Sequence, residues 1–89
     1  MTTYTKKVTI KYASDEDRDG PSLFTDARFS KGQEMQAAGK TDGIVSRGNN
    51  YVTTRKFVDQ AAAEEYRNFI LESAQANGVA IVESSITDY

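Results

Sequence analysis

The chain has 89 residues, 27% of them charged, and a formal net charge of −2, which describes one small domain with room for a single core. It contains no cysteine and no histidine, so disulfides, Cys-His and Ser-His catalytic pairs and the common zinc sites are excluded. The net negative charge argues against general affinity for nucleic acid, and no stretch has the ~20 apolar residues of a membrane span. We therefore expect a soluble, cytoplasmic, non-enzymatic protein that forms one domain over residues 1–89.

The first predicted element is a strand from Thr3 to Tyr12. Apolar side chains alternate along it with Lys7 and Lys11, which predicts one buried and one solvated face. Residues 13–42 show no decisive period, and both a helical turn and an extended segment are compatible with their early part. A short helix is predicted from Lys31 to Ala38, because Ser30 has capping-box spacing to Gln33 and Gly39 follows its end.

Two strands, Gly43 to Arg47 and Tyr51 to Phe57, are predicted to form a hairpin around Gly48-Asn49-Asn50. The sequence leaves open whether the turn centres on Gly48-Asn49 or on Asn49-Asn50. That choice matters, since a slip of one residue exchanges the two faces of the second strand.

The clearest element is an amphipathic helix between Asp59, its expected N-cap, and Gly78, its expected left-handed exit. Its apolar stripe, which includes Tyr66, Phe69 and Ile70, should pack on a sheet. A last strand is predicted from Val79 to Thr87, buried more deeply than an edge strand because it contains an uninterrupted apolar run.

This order of elements is the βαββαβ pattern of ferredoxin-like folds: a four-stranded antiparallel sheet with two helices on one face. The first and last strands should then be antiparallel neighbours. The other face of the sheet stays open, and we expect function or self-association there, with a protein partner or a second copy as homodimer.

An acidic segment has the spacing of a calcium loop. Asp15, Asp17 and Asp19 occupy positions 1, 3 and 5, Gly20 follows at position 6, Pro21 offers a carbonyl at 7, and Asp26 stands at 12. The twelve residues resemble the calcium loops of EF-hand and dockerin modules, although Ser22 replaces an apolar residue and no helix precedes the loop. The resemblance implies calcium as the one cofactor to expect; an ordinary solvated turn is the alternative.

A second candidate site is a basic sheet face. The segment from Arg47 to Thr54 resembles the third-strand signature of RNA-recognition motifs at its arginine, glycine and one aromatic position, but two of the family's aromatic positions are lost. With the hairpin in one register, the open face would carry Lys7, Lys11, Arg47, Tyr51 and Arg55. The same residues could instead contact a protein partner, and nucleic acid is not the expected ligand.

Catalysis is a third interpretation, because dimeric ferredoxin-like proteins of this length include cofactor-free monooxygenases and small isomerases. The available polar candidates are Tyr12, Tyr51, Tyr66, Asn49 and Asn50, and no acid/base pair is found among them. Catalytic residues are therefore not assigned.

Three segments resemble small proteins of tailed phages of marine cyanobacteria: Ala13 to Gly20, Gly32 to Lys40, and Arg55 to Tyr66. This resemblance covers most of the chain and implies an accessory or structural protein in the cytoplasm of an infected cell. It implies no activity.

Overall fold

The structure is a computed structural model that describes residues 2–89. Its elements are β1 (Lys6–Tyr12), α1 (Asp15–Asp19), α2 (Leu23–Ala37), β2 (Ser46–Gly48), β3 (Val52–Phe57), α3 (Gln60–Ala76) and β4 (Ile81–Asp88). The strands form one antiparallel sheet in the order β2-β3-β1-β4. The predicted α+β class and four-stranded antiparallel sheet are confirmed, and the described chain has three helices where two were predicted.

The core lies between one face of the sheet and the two long helices. β1 contributes Val8, Ile10 and Tyr12, and β3 contributes Phe57, all with at most 1% of their surface exposed. Against them pack buried side chains of α2 and α3: Phe24, Met35, Ala62, Ala63, Tyr66, Ile70 and Ala74. Residues one step along each strand, such as Lys7 and Thr54, point to the opposite face, since side chains alternate along a strand.

The structure confirms α3 and both of its predicted ends. The Asp59 side chain accepts a hydrogen bond from the Ala62 amide at 2.8 Å, and Gly78 adopts a φ of +69° just beyond the last turn. Tyr66 and Ile70 are buried on the sheet and Phe69 packs beside them, so the apolar stripe faces the core as expected.

The helix predicted from Lys31 to Ala38 is wrong in its start. α2 begins eight residues earlier, capped by Ser22, whose hydroxyl accepts a hydrogen bond from the Thr25 amide at 3.1 Å. Gly39, with a φ of +75°, ends the helical segment at the predicted place. The acidic segment before it is also helical, because the Ser14 hydroxyl caps α1 at the Asp17 amide.

The hairpin register is settled by a three-residue connection. Gly48 pairs with Val52, which leaves Asn49, Asn50 and Tyr51 as the loop, and neither two-residue turn considered from the sequence is present. Asn50 and Tyr51 both have positive φ angles, 62° and 63°. In this register Thr53, Arg55 and Phe57 face the helices, while Thr54 and Lys56 face the open side.

The final strand is an edge strand, so the predicted deep burial is wrong. β4 pairs with β1 along one side, and Val82, inside the apolar run, is 62% exposed. β1 and β4 are antiparallel neighbours as expected, and Lys6 forms an ion pair with Asp88 across them.

Candidate functional site

A cleft of about 500 Å³ lies between α2 and the β2-β3 end of the sheet. α2 is buried at widely spaced positions, Phe24, Gly32 and Met35, and residues of its neighbouring face line the cleft together with Arg47 of β2. The cleft is lined by Thr25, Arg28, Phe29, Gln33, Gln36, Gly43, Val45, Arg47, Thr53, Arg55 and Tyr66. Three of these side chains are arginines and none is acidic, so the described walls of the cleft carry positive charge only.

Arg55 forms the partly buried floor of the cleft. Its guanidinium carbon lies 5.5 Å from the centre of the Tyr66 ring, which is a cation-π contact. Its Nε is buried and has no hydrogen-bond partner within residues 2–89. No ion pair of those residues includes Arg55 either. A guanidinium with neither an acceptor at Nε nor a counter-ion is an unusual and unfavourable arrangement.

Gly32 provides the space for this guanidinium. A Cβ atom at position 32 would overlap the nearer terminal nitrogen of Arg55 and would stand 3.0 Å from its Cζ. A glycine inside an α-helix destabilises it by about 1 kcal/mol relative to alanine. A residue of low helix propensity therefore occupies the position where the Arg55 guanidinium approaches the backbone of α2.

Arg28 and Arg47 extend the positive charge along the walls. Arg28 donates to the Tyr12 hydroxyl at 3.0 Å and to the Arg18 carbonyl at 2.6 Å, which fixes its position above the Tyr12 and Phe24 rings. Arg47 donates from Nε to Asp19 at 3.0 Å, and Arg18 donates to the other oxygen of Asp19 at 2.7 Å. Partial burial raises the pKa of Asp19, but the hydrogen bonds and charges of Arg18 and Arg47 outweigh it, and the net pKa is lowered.

The remaining polar groups in the cleft are neutral. Burial raises the pKa of the Tyr66 hydroxyl, while the charge of Arg55 acts in the opposite direction, so Tyr66 stays protonated at pH 7. Thr53 lines the same cleft and is buried, whereas Gln33 and Gln36 line it as exposed residues. Of the three arginines only Arg47 is paired with a carboxylate of the described residues, and a set of positive and neutral donors with two unpaired guanidinium groups is suited to binding an anion.

The acidic residues predicted to bind calcium lie on two different helices and the turn between them. Asp15, Asp17 and Asp19 belong to α1, Pro21 to the connection, and Asp26 to the first turn of α2. Asp15 and Asp19 form ion pairs with Arg18. Within residues 2–89, no three metal-ligating side chains converge. Calcium binding at these residues stays a prediction.

The five residues predicted to form a basic sheet face do not lie on one surface. Lys7 and Lys11 lie on the open face, as expected from the alternation of β1. Arg47 and Arg55 line the cleft on the helix-covered side, because Arg55 pairs with the buried Val8 and the three-residue loop pairs Arg47 with Thr53 on that same face. Tyr51 lies in that loop, 42% exposed, outside both strands. Lys56 takes the place expected for Arg55, directly beside Lys7.

Sequence reasoning missed Arg28 and the polar stripe of α2 altogether. Thr25, Arg28, Phe29, Gln33 and Gln36 recur at steps of three and four, the spacing of one helical face. A search for apolar stripes passes over such a face. A search for polar residues at the same spacing, interrupted by a mid-helix glycine, would have found it.

The chain was compared with protein-family models, with curated proteins and with solved structures, and none of the three comparisons gives a match. In the part of the chain described, none of the helices combines the length and the apolar character that crossing a membrane requires.

Proposed function

We propose that this chain is a small non-enzymatic binding protein whose ligand is an anion held in the arginine-lined cleft. The observation that carries the proposal is Arg55: it lines the cleft, its Nε is buried without a partner, and none of the ion pairs of the described residues includes it. A buried donor without a hydrogen-bond partner lowers the free energy of unfolding by about 1–3 kcal/mol. Because solvent does not reach this Nε, a bound anion would contact the terminal nitrogens of Arg55 and supply the counter-charge that the guanidinium lacks.

Phosphate and carboxylate groups fit this site for a geometric reason. A guanidinium presents its donors as a planar fork that matches two oxygens of such a group. Arg47 and Arg28 lie on the same cleft, so their charges add to that of Arg55. The low exposure of the floor strengthens the attraction, since a partly dry site screens charges less than water does.

Inorganic phosphate is the simplest probe. The thermal unfolding of the wild-type chain should be followed in Tris chloride with increasing phosphate. If the dissociation constant is ~1 mM, 10 mM phosphate stabilises the folded state by about 1.4 kcal/mol. For a domain of this size that corresponds to a rise in Tm of roughly 6–11 °C.

Two variants make the measurement specific. Arg55→Gln removes one positive charge from the cleft, and Lys11→Gln removes one from the open sheet face. Phosphate also stabilises proteins generally by exclusion from their surface, but that effect acts on both variants equally. We expect Lys11→Gln to keep the phosphate-dependent rise and Arg55→Gln to lose it. Equal rises in both variants, or none in the wild type, would contradict the proposal.

The open sheet face with its β4 edge is a second candidate site, for contact with a protein partner or a second copy of the chain. The observation that favours it is β4, an eight-residue edge strand whose outer side pairs with no other described strand and which exposes Val82. An unpaired edge of this length is a ready template for another strand. Light scattering at micromolar concentration tests self-association, and a monomer at every concentration would remove it.

Calcium binding by residues 15–26 is a separate proposal with its own test. A calorimetric titration with calcium should use the wild type and the variants Asp15→Ala and Asp19→Ala. Heat that disappears in both variants would support binding at these carboxylates. No heat, and no gain in Tm, would end the proposal.

The finer fold assignment and the origin of the chain are also proposals. The strand order β2-β3-β1-β4 supports a ferredoxin-like arrangement in which the first connection carries the additional helix α1.

The resemblance to small phage proteins would make the chain a phage accessory protein acting in the cytoplasm of the infected host.

A further inference from the structure

The cleft is larger than a simple anion requires. Its volume of about 500 Å³ lies inside the range of pockets that enclose small organic ligands, roughly 300–1,000 Å³. If the proposed anion site is correct, a single phosphate or carboxylate group on Arg55 leaves most of this space to another part of the ligand. The chemistry of the remaining walls then indicates what that part is.

The outer walls offer flat apolar surface. The Phe29 ring projects from α2 with 68% of its surface exposed, and Val45 lines the same cleft from the segment before β2. An exposed phenylalanine on the wall of a polar cleft is a stacking surface for a planar ring. Leu23, also exposed on α2 at 76%, does not line the cleft and is a matched control.

The α2 wall also carries two carboxamides. Gln33 lies one helical turn from Phe29, and Gln36 packs close to Gly43, where an added Cβ atom would stand 2.7 Å from its Nε2. A carboxamide has two donors and a carbonyl acceptor, which can pair with the edge of a heterocyclic base but gain less from a plain hydrocarbon ring. The cleft thus offers charge, a stacking ring and edge-reading groups together.

The charge of the cleft favours a dianion. Arg28, Arg47 and Arg55 line it, and the carboxylate nearest to this set, Asp19, is shared between Arg47 and Arg18. A phosphate monoester carries about −1.5 to −2 at pH 7 and three acceptor oxygens, whereas a carboxylate carries −1 and two. The monoester therefore matches the excess positive charge more closely.

From these observations we infer that the cleft binds a phosphate monoester joined to a heterocyclic ring, with a nucleoside monophosphate as the simplest compound of this class. The phosphate lies on Arg55, the base stacks on Phe29, and Gln33 and Gln36 contact the edge of the base. This inference rests on the proposed anion site and adds the class of ligand.

The test is a calorimetric titration of the full chain with four probes: AMP, ribose 5-phosphate, adenosine and inorganic phosphate. Stacking of one base contributes roughly 5- to 150-fold in affinity, so AMP should bind at least fivefold more tightly than ribose 5-phosphate. Phe29→Ala should remove this advantage and leave ribose 5-phosphate binding unchanged. Leu23→Ala should leave both affinities as in the wild type.

The possible outcomes separate the two proposals. Equal affinities for AMP and ribose 5-phosphate, both lost in Arg55→Gln, would overturn the nucleotide inference and leave the anion site standing. Adenosine binding as tightly as AMP would also overturn it, because the phosphate would then contribute nothing. Absence of binding by every probe, or binding that Arg55→Gln does not change, would overturn the anion site as well.

Discussion

Replacing Arg55 by methionine should make the ligand-free protein more stable. Methionine keeps an unbranched side chain between Gly32 and the Tyr66 ring and removes the charge and the unpartnered Nε. Removing an unsatisfied buried donor recovers about 1–3 kcal/mol. The lost cation-π contact, about 0.5–2 kcal/mol, is largely replaced by a contact between sulfur and the aromatic ring, worth about 0.3–1.5 kcal/mol.

The net expectation is a gain of about 1 kcal/mol in the free energy of unfolding, or roughly 4–8 °C in Tm for a domain of this size. Urea denaturation followed by circular dichroism, in Tris chloride without phosphate, measures it directly. The midpoint should rise by about 1 M if the denaturant dependence is near the low end for small proteins. In 10 mM phosphate the difference should shrink or reverse, because binding stabilises the wild type alone.

Arg67→Met is the matched control for this experiment. Arg67 on α3 also has a buried Nε without a partner in residues 2–89, but it does not line the cleft. The stability of Arg67→Met should change in the same direction, and phosphate should stabilise this variant as much as the wild type. A loss of 1 kcal/mol or more in Arg55→Met without phosphate would refute the reasoning, since Arg55 would then hold the fold together.

Three further predictions concern the surroundings of the cleft and the acid stability of the fold. Gly32→Ala should strengthen α2 by up to about 1 kcal/mol, yet phosphate affinity should fall about tenfold because the new Cβ displaces Arg55; an unchanged calorimetric affinity would contradict this. Asp19→Asn removes an anion that competes for Arg47, so phosphate should bind about 1.5- to 5-fold more tightly in low salt; weaker binding would show that Asp19 positions the arginine. The pKa of Glu65 is lowered by the hydrogen bond from Lys40 and, to a smaller extent, by that from Lys31. The stability that the Glu65 carboxylate contributes is therefore present above its unfolded pKa, about 4.3, and is lost as the pH falls through the lower folded pKa. Glu65→Gln should be less stable at pH 7 and lose less stability than the wild type between about pH 5 and pH 3 in melts recorded at each pH; parallel curves would contradict the assignment.

The elements that the sequence predicted well are those in which the apolar side chains keep one period along the whole element. β1 alternates because one of its faces is buried, and α3 has an apolar stripe, an Asp59 cap and a Gly78 exit. Each feature can be recognised without knowing the neighbouring elements. The ends of α3 lie where they were predicted, and β1 ends at Tyr12 as predicted but begins at Lys6, three residues after the predicted Thr3.

α2 could not be predicted in the same way, because one of its faces packs on the core and another lines the polar cleft. Its buried residues, Phe24, Gly32 and Met35, are too few and too widely spaced to give an apolar period, and the face lining the cleft is polar. The local preference of Gly32 opposes a helix that the tertiary contacts require. A disagreement between local preference and fold is expected at functional sites.

The position of Arg47 depends on a single loop. Arg55 faces the helices because it pairs with the buried Val8, and Arg47 shares that face because the loop has three residues; one residue more or fewer would place Arg47 on the open face. Nothing in Gly48-Asn49-Asn50-Tyr51 selects a three-residue connection with positive φ at Tyr51. The sequence therefore could not predict that these residues line one cleft.

The most direct test of the anion site observes the Arg55 side chain itself. In a ¹⁵N-labelled sample, the Nε–H resonance that is missing from Arg55→Lys identifies this residue among the arginines. On titration with inorganic phosphate, we expect that resonance to shift with a saturable dependence on concentration, while the Nε–H resonance of Arg67, which lies outside the cleft lining, stays in place. An Arg55 resonance that remains unchanged at saturating phosphate would contradict the account.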